Sequence, residues 1–327
     1  MHKAEVLVVT RYPDADMAAL AQHYTLHVLA DAEDPDALLA EIAPRIRALA
    51  TNGEAGASAK LIDALPHLEI IVSYGVGVDA IDLERAAQRN IRVTYTPDVL
   101  TDDVADLGIA LLLSVARDIP QNDAIVRAGE WGHVQIPLAT RVFGKRLGIL
   151  GLGRVGRAVA KRAAGFDMAI SYHDRNRFDD SPYTFHETAV ELARHSDFLI
   201  VCAAADRSNR ASIGHEVLDA LGPDSFLINI ARGSIIDEPV LLNYLTERRI
   251  RGAALDVFWS EPAIDPRFFA LHNVVLQPHR ASGTVETRAA MAHLVRNNLA
   301  AFFAGEPLIT EYTAHKAHLT PTTHAHP

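Results

Sequence analysis

Residues 147–156 read L-G-I-L-G-L-G-R-V-G, and this stretch decides the fold. An apolar run leads into Gly151, Gly153 and Gly156, and an alanine- and valine-rich segment with helical spacing follows directly. The pattern predicts a strand, a tight turn and a helix. In such a unit the first glycine permits the turn, the second lets the backbone approach a pyrophosphate, and the third lets the helix pack closely on the strand. We therefore expect a dinucleotide here, with its phosphates at the positive end of the helix.

A second predicted strand, residues 168–173, ends at Asp174. An acid about 20 residues beyond such glycines binds the adenosine ribose hydroxyls in dinucleotide-binding folds. Asp174 would repel a 2′-phosphate, so it favours NAD. Arg175 and Arg177 follow it, and a guanidinium binds phosphate well, so they leave NADP open.

The composition indicates a globular protein. Its 327 residues are 49% hydrophobic, which is enough to build two domains with cores of their own. A formal charge of -10 argues against nucleic acid as the main partner, because a phosphate backbone needs a concentrated basic face.

The sequence also bears on the compartment. The single cysteine, Cys202, cannot form an internal disulfide, which indicates a reducing compartment. No run approaches the roughly 18 apolar residues of a membrane span, and the first predicted strand begins almost at the N-terminus, before a signal peptide would fit. We therefore expect a cytoplasmic protein with no membrane partner.

Short apolar runs alternate with helical patterns along most of the chain, which predicts parallel β-α-β units. Five strands are expected within residues 5–95, and six more, from the glycine stretch to residue 278, would complete a dinucleotide-binding domain. Between the two series one long helix is expected from Thr101 to about Gly129. A last helix, over residues 285–303, should end at Gly305.

Three side chains suited to chemistry each follow a predicted strand: Arg232, Glu261 and His279. Ligands bind outside the carboxyl ends of strands in such sheets. An arginine guanidinium binds a carboxylate through bidentate hydrogen bonds of fixed geometry. An imidazolium donates a proton near neutral pH, and a neighbouring carboxylate favours the charged form of the ring. Each residue alone has a structural alternative, but together they favour oxidoreduction of a hydroxy or keto acid. Asp256 ends its strand and is a candidate acceptor for the nicotinamide carboxamide.

These motifs resemble the D-isomer-specific 2-hydroxyacid dehydrogenases, and among them the glyoxylate/hydroxypyruvate reductase and 2-ketogluconate reductase branch. The resemblance covers roughly residues 5–310. Its motifs are YGVGVD (74–79), TDDVAD (101–106), GKRLGILGLGRVG (144–156), LINIARG (227–233), ALDVF (254–258), EP (261–262) and PH (278–279).

The resemblance implies an α/β fold with two doubly wound parallel-sheet domains. A Rossmann domain, residues 100–284, would be inserted into a discontinuous flavodoxin-like substrate domain, residues 1–99 and 285–311. The polar composition from Tyr312 onward itself predicts a flexible tail, residues 312–327; metal binding by its histidines is the less favoured alternative, and we expect no metal site.

The resemblance also implies a function. Arg232, Glu261 and His279 would be catalytic in reducing a small 2-keto acid of the glyoxylate or hydroxypyruvate type to its D-2-hydroxy acid with NAD(P)H. The backbone N–H groups of Val76 and Gly77 would bind the substrate carboxylate together with Arg232. Family members are usually homodimers. The implied cofactor contacts are Thr101, Gly151, Gly153, Arg154, Val155, Gly156, Asp174, Arg175, Ile230, Ala231 and Asp256.

Two departures from the family pattern bear on specificity. Arg280 stands where the family has a small apolar residue; it either favours a second anionic group on the substrate or points to solvent. The stretch 203–209, AAADRSN, lacks the proline usual there, so the adenine pocket is expected to differ.

Other functions on the same fold remain open. They are oxidation of formate or phosphite, and a non-catalytic protein that senses NADH and binds protein partners. Formate enzymes have glutamine in place of Glu261, which weighs against formate. Phosphite enzymes and the sensing class can keep all three catalytic residues, so turnover has to separate them.

Overall fold

The computed structural model describes residues 3–313, which fall into two compact units. The first unit runs to Leu100 and resumes at Thr284, and the second unit is Thr101–Gly283. The elements run β1 (Ala4–Val8), α1 (Asp14–His23), β2 (Tyr24–Val28), α2 (Pro35–Ile42), β3 (Ala48–Asn52), α3 (Ala59–Asp63), β4 (Ile70–Tyr74), α4 (Leu83–Gln88), β5 (Arg92–Thr94), α5 (Thr101–Ala116), α6 (Ile119–Arg127), β6 (Arg146–Leu150), α7 (Arg154–Ala163), β7 (Ala169–His173), β8 (Thr184–Phe185), α8 (Ala189–Arg194), β9 (Phe198–Val201), α9 (His215–Leu221), β10 (Phe226–Asn229), α10 (Glu238–Thr246), β11 (Gly252–Leu255), β12 (Val274–Leu276) and α11 (Val285–Ala304).

The first unit is built on a parallel sheet with strand order β2-β1-β3-β4-β5, the order of flavodoxin-like folds. Every residue of β4 is buried, as expected for a central parallel strand covered on both faces. Three of its helices, α2, α3 and α4, have N-cap side chains. Asp34, Ser58 and Asp82 each accept a hydrogen bond from the backbone N–H of the residue three positions later.

The helix α11 completes the first unit after the chain has passed through the second. It packs on β4, where the Tyr74 hydroxyl donates to the Arg288 carbonyl over 2.8 Å. Gly305 ends the helix in the left-handed region, at φ 73°, as the sequence predicts.

The segment after α11 lies along β5. Glu311 forms an antiparallel bridge with Thr94, and the Tyr312 N–H donates to the Val93 carbonyl over 2.7 Å. The predicted flexible tail is therefore wrong at its first residue, because Tyr312 is fixed by this backbone hydrogen bond. Residues 314–327, with their histidines, lie outside the described part of the chain.

The second unit contains a parallel sheet with strand order β12-β11-β10-β9-β6-β7-β8. Counted within the unit, this is the Rossmann order 3-2-1-4-5-6 with one strand added beyond the sixth. The sequence predicts six strands and misses β8, since its two residues are too few to show a period.

The single helix expected from Thr101 to about Gly129 is wrong. The chain forms α5, leaves the helix at Asp118 with φ 52°, and starts again as α6. Pro120 explains the break, because in a continuous helix its ring would clash with the Ala116 carbonyl and leave that group without a donor. None of the helices within residues 3–313 has the length and apolar character that crossing a bilayer requires.

Candidate active site

The glycine turn joins β6 to α7 in the second unit. Gly151 has φ 95°, and a Cβ there would lie 2.5 Å from the Ala203 Cα. A Cβ on Gly156 would lie 2.1 Å from the Gly151 carbonyl oxygen, so the fold itself requires both glycines. A Cβ on Gly153 would meet no described atom within 4 Å. The open face of Gly153 at the start of α7 thus fits a pyrophosphate that approaches the backbone.

Asp174 lies beside this turn. Its Oδ2 accepts a hydrogen bond from the Leu152 N–H over 2.9 Å, so the carboxylate is held between β7 and the glycine loop. The next residue, Arg175, forms an ion pair with Asp206, with 2.8 Å between Nη1 and Oδ2. The sequence analysis named the stretch 203–209 for its missing proline but did not single out Asp206, which follows no strand directly and belongs to no fingerprint.

The three chemical side chains follow neighbouring strands, since Arg232, Glu261 and His279 come after β10, β11 and β12. Asn229 shapes the first of these loops: its Nδ2 donates to the Arg232 carbonyl over 2.9 Å, and its Oδ1 accepts from the Ala231 N–H over 3.0 Å. A Cβ on Gly233 would lie 2.1 Å from the carbonyl carbon of Phe258. The loops after β10 and β11 therefore touch backbone to backbone, which explains the Arg-Gly sequence.

Glu261 and His279 form the central contact of the site. The Glu261 Oε2 lies 2.7 Å from the His279 Nδ1, and its Oε1 accepts from the Phe258 N–H over 2.7 Å. Burial alone would raise the pKa of the Glu261 carboxyl, but these hydrogen bonds and the charges of His279 and Arg232 outweigh it and lower the pKa. Glu261 is therefore a carboxylate at neutral pH and binds one side of the imidazole.

Asp256 holds the backbone around His279. Its two carboxylate oxygens accept from the Arg280 and Ala281 N–H groups over 2.7 and 2.9 Å, and its carbonyl accepts from the His279 N–H over 2.8 Å. Burial raises the pKa of the fully buried Asp256 carboxyl, although the two backbone hydrogen bonds oppose this. His279 has φ 52°, a conformation that costs a non-glycine residue about 1–3 kcal/mol. The Asp256 contacts stabilise this strained turn, a role that the sequence did not suggest.

Comparison with known proteins decides the family. Residues 109–281 match the D-isomer specific 2-hydroxyacid dehydrogenase, NAD binding domain. The chain belongs to this dehydrogenase family. The predicted family and α/β fold class are thus confirmed, and the second unit contains the NAD-binding domain.

Several relatives of this dehydrogenase are similar over most of their length. It is 52% identical over 272 residues to hydroxyphenylpyruvate reductase of Plectranthus scutellarioides, covering 83% of this chain and 87% of that protein. It is 43% identical over 308 residues to 2-ketogluconate reductase of Gluconobacter oxydans, covering 94% and 98%.

Solved structures of 2-hydroxyacid dehydrogenases and reductases are also similar to this chain. A 2-hydroxyacid dehydrogenase from Ketogulonicigenium vulgare Y25 is 52% identical with a TM-score of 0.89, covering 96% of this chain and 99% of that one. An NADPH-dependent glyoxylate/hydroxypyruvate reductase from Sinorhizobium meliloti, in complex with NADP and malonate, is 36% identical with a TM-score of 0.88, covering 98% and 100%.

The other predicted site residues of the dehydrogenase are spread over both units. Thr101 begins α5, Arg154 and Val155 begin α7, and the buried Ile230 follows β10 with its Cδ1 near Gly108. In the first unit, the turn with Val76 and Gly77 follows β4, and the Val76 side chain is exposed. Arg280 is exposed, and its Nε lies beside Gly283. The roles that the sequence assigned to these residues stay predictions.

Proposed function

We propose that this dehydrogenase reduces a small 2-keto acid of the glyoxylate or hydroxypyruvate type to the D-2-hydroxy acid with NADH or NADPH. The observation that carries the proposal is the 2.7 Å contact between Glu261 and His279 at the carboxyl edge of the sheet that holds the glycine turn. Arg232 lies close enough for its charge to lower the pKa of Glu261. The names of the relatives, which are reductases of hydroxyphenylpyruvate, hydroxypyruvate, glyoxylate and 2-ketogluconate, support the substrate class.

Each of the three side chains has its own role in the proposed reaction. A nicotinamide cofactor held at the glycine turn would supply the hydride that reduces the carbonyl carbon. The Arg232 guanidinium binds the substrate carboxylate and orients the adjacent carbonyl. The Glu261 contact assigns His279 Nδ1 to the carboxylate, so Nε2 gives its proton to the carbonyl oxygen as negative charge develops there. Glu261 stabilises the imidazolium before transfer and keeps the ring oriented.

Turnover tests the proposal. Initial rates of NADH and NADPH oxidation are measured with glyoxylate, hydroxypyruvate, 4-hydroxyphenylpyruvate and 2-ketogluconate, and the product is resolved by chiral chromatography. We expect turnover with at least one keto acid, a D product, and a kcat lower by about 10²–10⁴ in His279→Gln, as for loss of a general acid. An L product, or turnover with phosphite and NAD but with no keto acid, would contradict the proposal.

We also infer that the dehydrogenase is a cytoplasmic homodimer. The family resemblance supports the dimer, and the single cysteine, Cys202, which cannot form an internal disulfide, supports a reducing compartment. Light scattering coupled to size exclusion tests the dimer, since the chain mass is 35.6 kDa and a peak at that mass would exclude it.

A further inference from the structure

An ion pair spans the two loops on either side of the glycine turn. Arg175 lies in the loop after β7 and Asp206 in the loop after β9, with 2.8 Å between Nη1 and Oδ2. The sheet order places β6, which leads into the glycine turn, between β7 and β9. The ligand crevice of such sheets lies where the strand order reverses, which here is between β6 and β9. The pair therefore crosses the mouth of the predicted adenosine site.

The turn around Asp206 fixes this carboxylate in place. Its Oδ1 accepts from the N–H and hydroxyl of Ser208 over 2.7 and 2.5 Å, and from the Asn209 N–H over 3.3 Å. Asn209 closes the turn, since its Oδ1 accepts from the Asp206 N–H and its Nδ2 donates to the Ala204 carbonyl. The Ser208 contacts and the nearby Arg175 lower the pKa of Asp206, so it is ionised. One carboxylate oxygen is anchored by the turn and the other binds Arg175.

We propose that Asp206 makes the dehydrogenase prefer NADH over NADPH by holding Arg175 away from the adenosine 2′ position. The inference rests on the dinucleotide binding in the proposed function, but not on keto-acid reduction. A 2′-phosphate carries close to two negative charges and binds a guanidinium through paired hydrogen bonds. Asp206 competes with such a phosphate for the Arg175 guanidinium, because it already holds Nη1 and neutralises the charge. The phosphate would then approach two carboxylates, Asp174 and Asp206.

The other nearby arginines are placed differently. Arg177 lines a cavity of about 290 Å³ together with Tyr172, Phe178 and residues of the β8 edge, and no residue of the glycine turn lines that cavity. Arg157 forms an ion pair with Asp180 over 3.1 Å and stacks on the Phe178 ring. Of these three arginines, Arg175 is the one that directly follows Asp174 and is bound by Asp206.

The variant Asp206→Asn tests this. Its amide oxygen can still accept from the Ser208 and Asn209 N–H groups, so the turn is kept while the negative charge that binds Arg175 is lost. Dissociation constants of NADH, NADPH and the fragments 5′-AMP and adenosine 2′,5′-bisphosphate are measured by calorimetry. We expect wild type to bind NADH more tightly. In D206N, binding of the two 2′-phosphorylated ligands should improve about tenfold, and binding of the other two should change less than about twofold.

Two further variants test whether release of Arg175 causes the gain in NADPH binding. In an Arg175→Ala background, D206N should improve NADPH binding clearly less than it does in the wild type, because only the repulsion by Asp206 is then removed and no guanidinium remains to be released. The matched control Asp180→Asn breaks the Arg157 pair and should leave the preference unchanged. Wild-type preference for NADPH, no gain in D206N, or the same gain without Arg175 would each overturn the proposal. Because the readout is binding, it remains decisive even if no keto acid is reduced.

Discussion

The substitution Glu261→Gln probes the contact on which the proposed chemistry depends. The carboxylate lies 2.7 Å from the His279 Nδ1, and its pKa is lowered despite burial, so it is charged throughout the working pH range. Glutamine keeps the size and one acceptor oxygen but removes the negative charge. The imidazolium then loses its counter-charge, while the positive charge of Arg232 remains nearby.

The magnitude follows from that geometry. An opposite charge within about 4–6 Å shifts a pKa by about 1–3 units. Keto-acid reduction needs the protonated imidazole, so kcat/KM falls as the pH rises through the apparent pKa of this step. Without the Glu261 carboxylate that fall moves to lower pH by about 1–3 units. At a pH well above the apparent pKa, each unit by which the pKa is shifted down lowers kcat/KM of Glu261→Gln about tenfold. At low pH the variant recovers much of this loss.

The assay is kcat/KM for NADH-dependent reduction across about pH 5 to pH 9, the range over which histidine titrates. Glu238→Gln is the matched control: its Oε2 accepts from the Trp259 N–H over 2.9 Å, in the loop between β11 and Glu261. The control should keep the wild-type profile. A Glu261→Gln profile with the wild-type apparent pKa would refute the view that this carboxylate stabilises the proton on His279.

Three other predictions follow from the close contacts and buried charges of the second unit. Gly153→Ala should keep the melting temperature but weaken NADH binding at least about tenfold in calorimetry, because the Cβ meets no described atom yet fills the phosphate cradle; Gly165→Ala, equally open, should change neither. Gly233→Ala should lower the free energy of unfolding by about 1–3 kcal/mol and reduce kcat, since its Cβ would lie 2.1 Å from the Phe258 carbonyl carbon; an unchanged urea midpoint would contradict this. Burial raises the pKa of Glu238, so the wild type loses stability as the pH rises from the ordinary glutamate pKa of 4.5 through that raised pKa. Glu238→Gln should therefore melt higher than wild type at pH 7, and the two should converge below about pH 4.

The sequence predicts those elements that depend on short-range patterns of apolar residues and glycines. The glycine unit and the alternating strands and helices follow from apolar spacing, and Arg232, Glu261 and His279 are candidates because each follows a predicted strand. The break at Pro120 was missed although its signal was present, because the apolar helical spacing continues past it. The two residues of β8 are too short to detect.

The contacts that shape the site arise only in the folded chain. Asp256 supports His279 from 23 positions away, and Asp206 binds Arg175 from 31 positions away. No spacing rule connects either pair, since the sheet order brings their loops together.

Because the chain returns to the first unit only at Thr284, the two units are completed in a fixed order during synthesis. On the ribosome, β1 to β5 emerge early, whereas α11 and the segment that bridges Thr94 emerge only after the whole second unit. Until then one face of β4 and the edge of β5 lack their covering elements, and such an edge can pair with other chains. The second unit is contiguous in sequence, so it can fold before the segments that follow it have emerged. We therefore expect the cofactor-binding half of a nascent chain to become structured first, and the half that closes last to be the one that needs protection from aggregation.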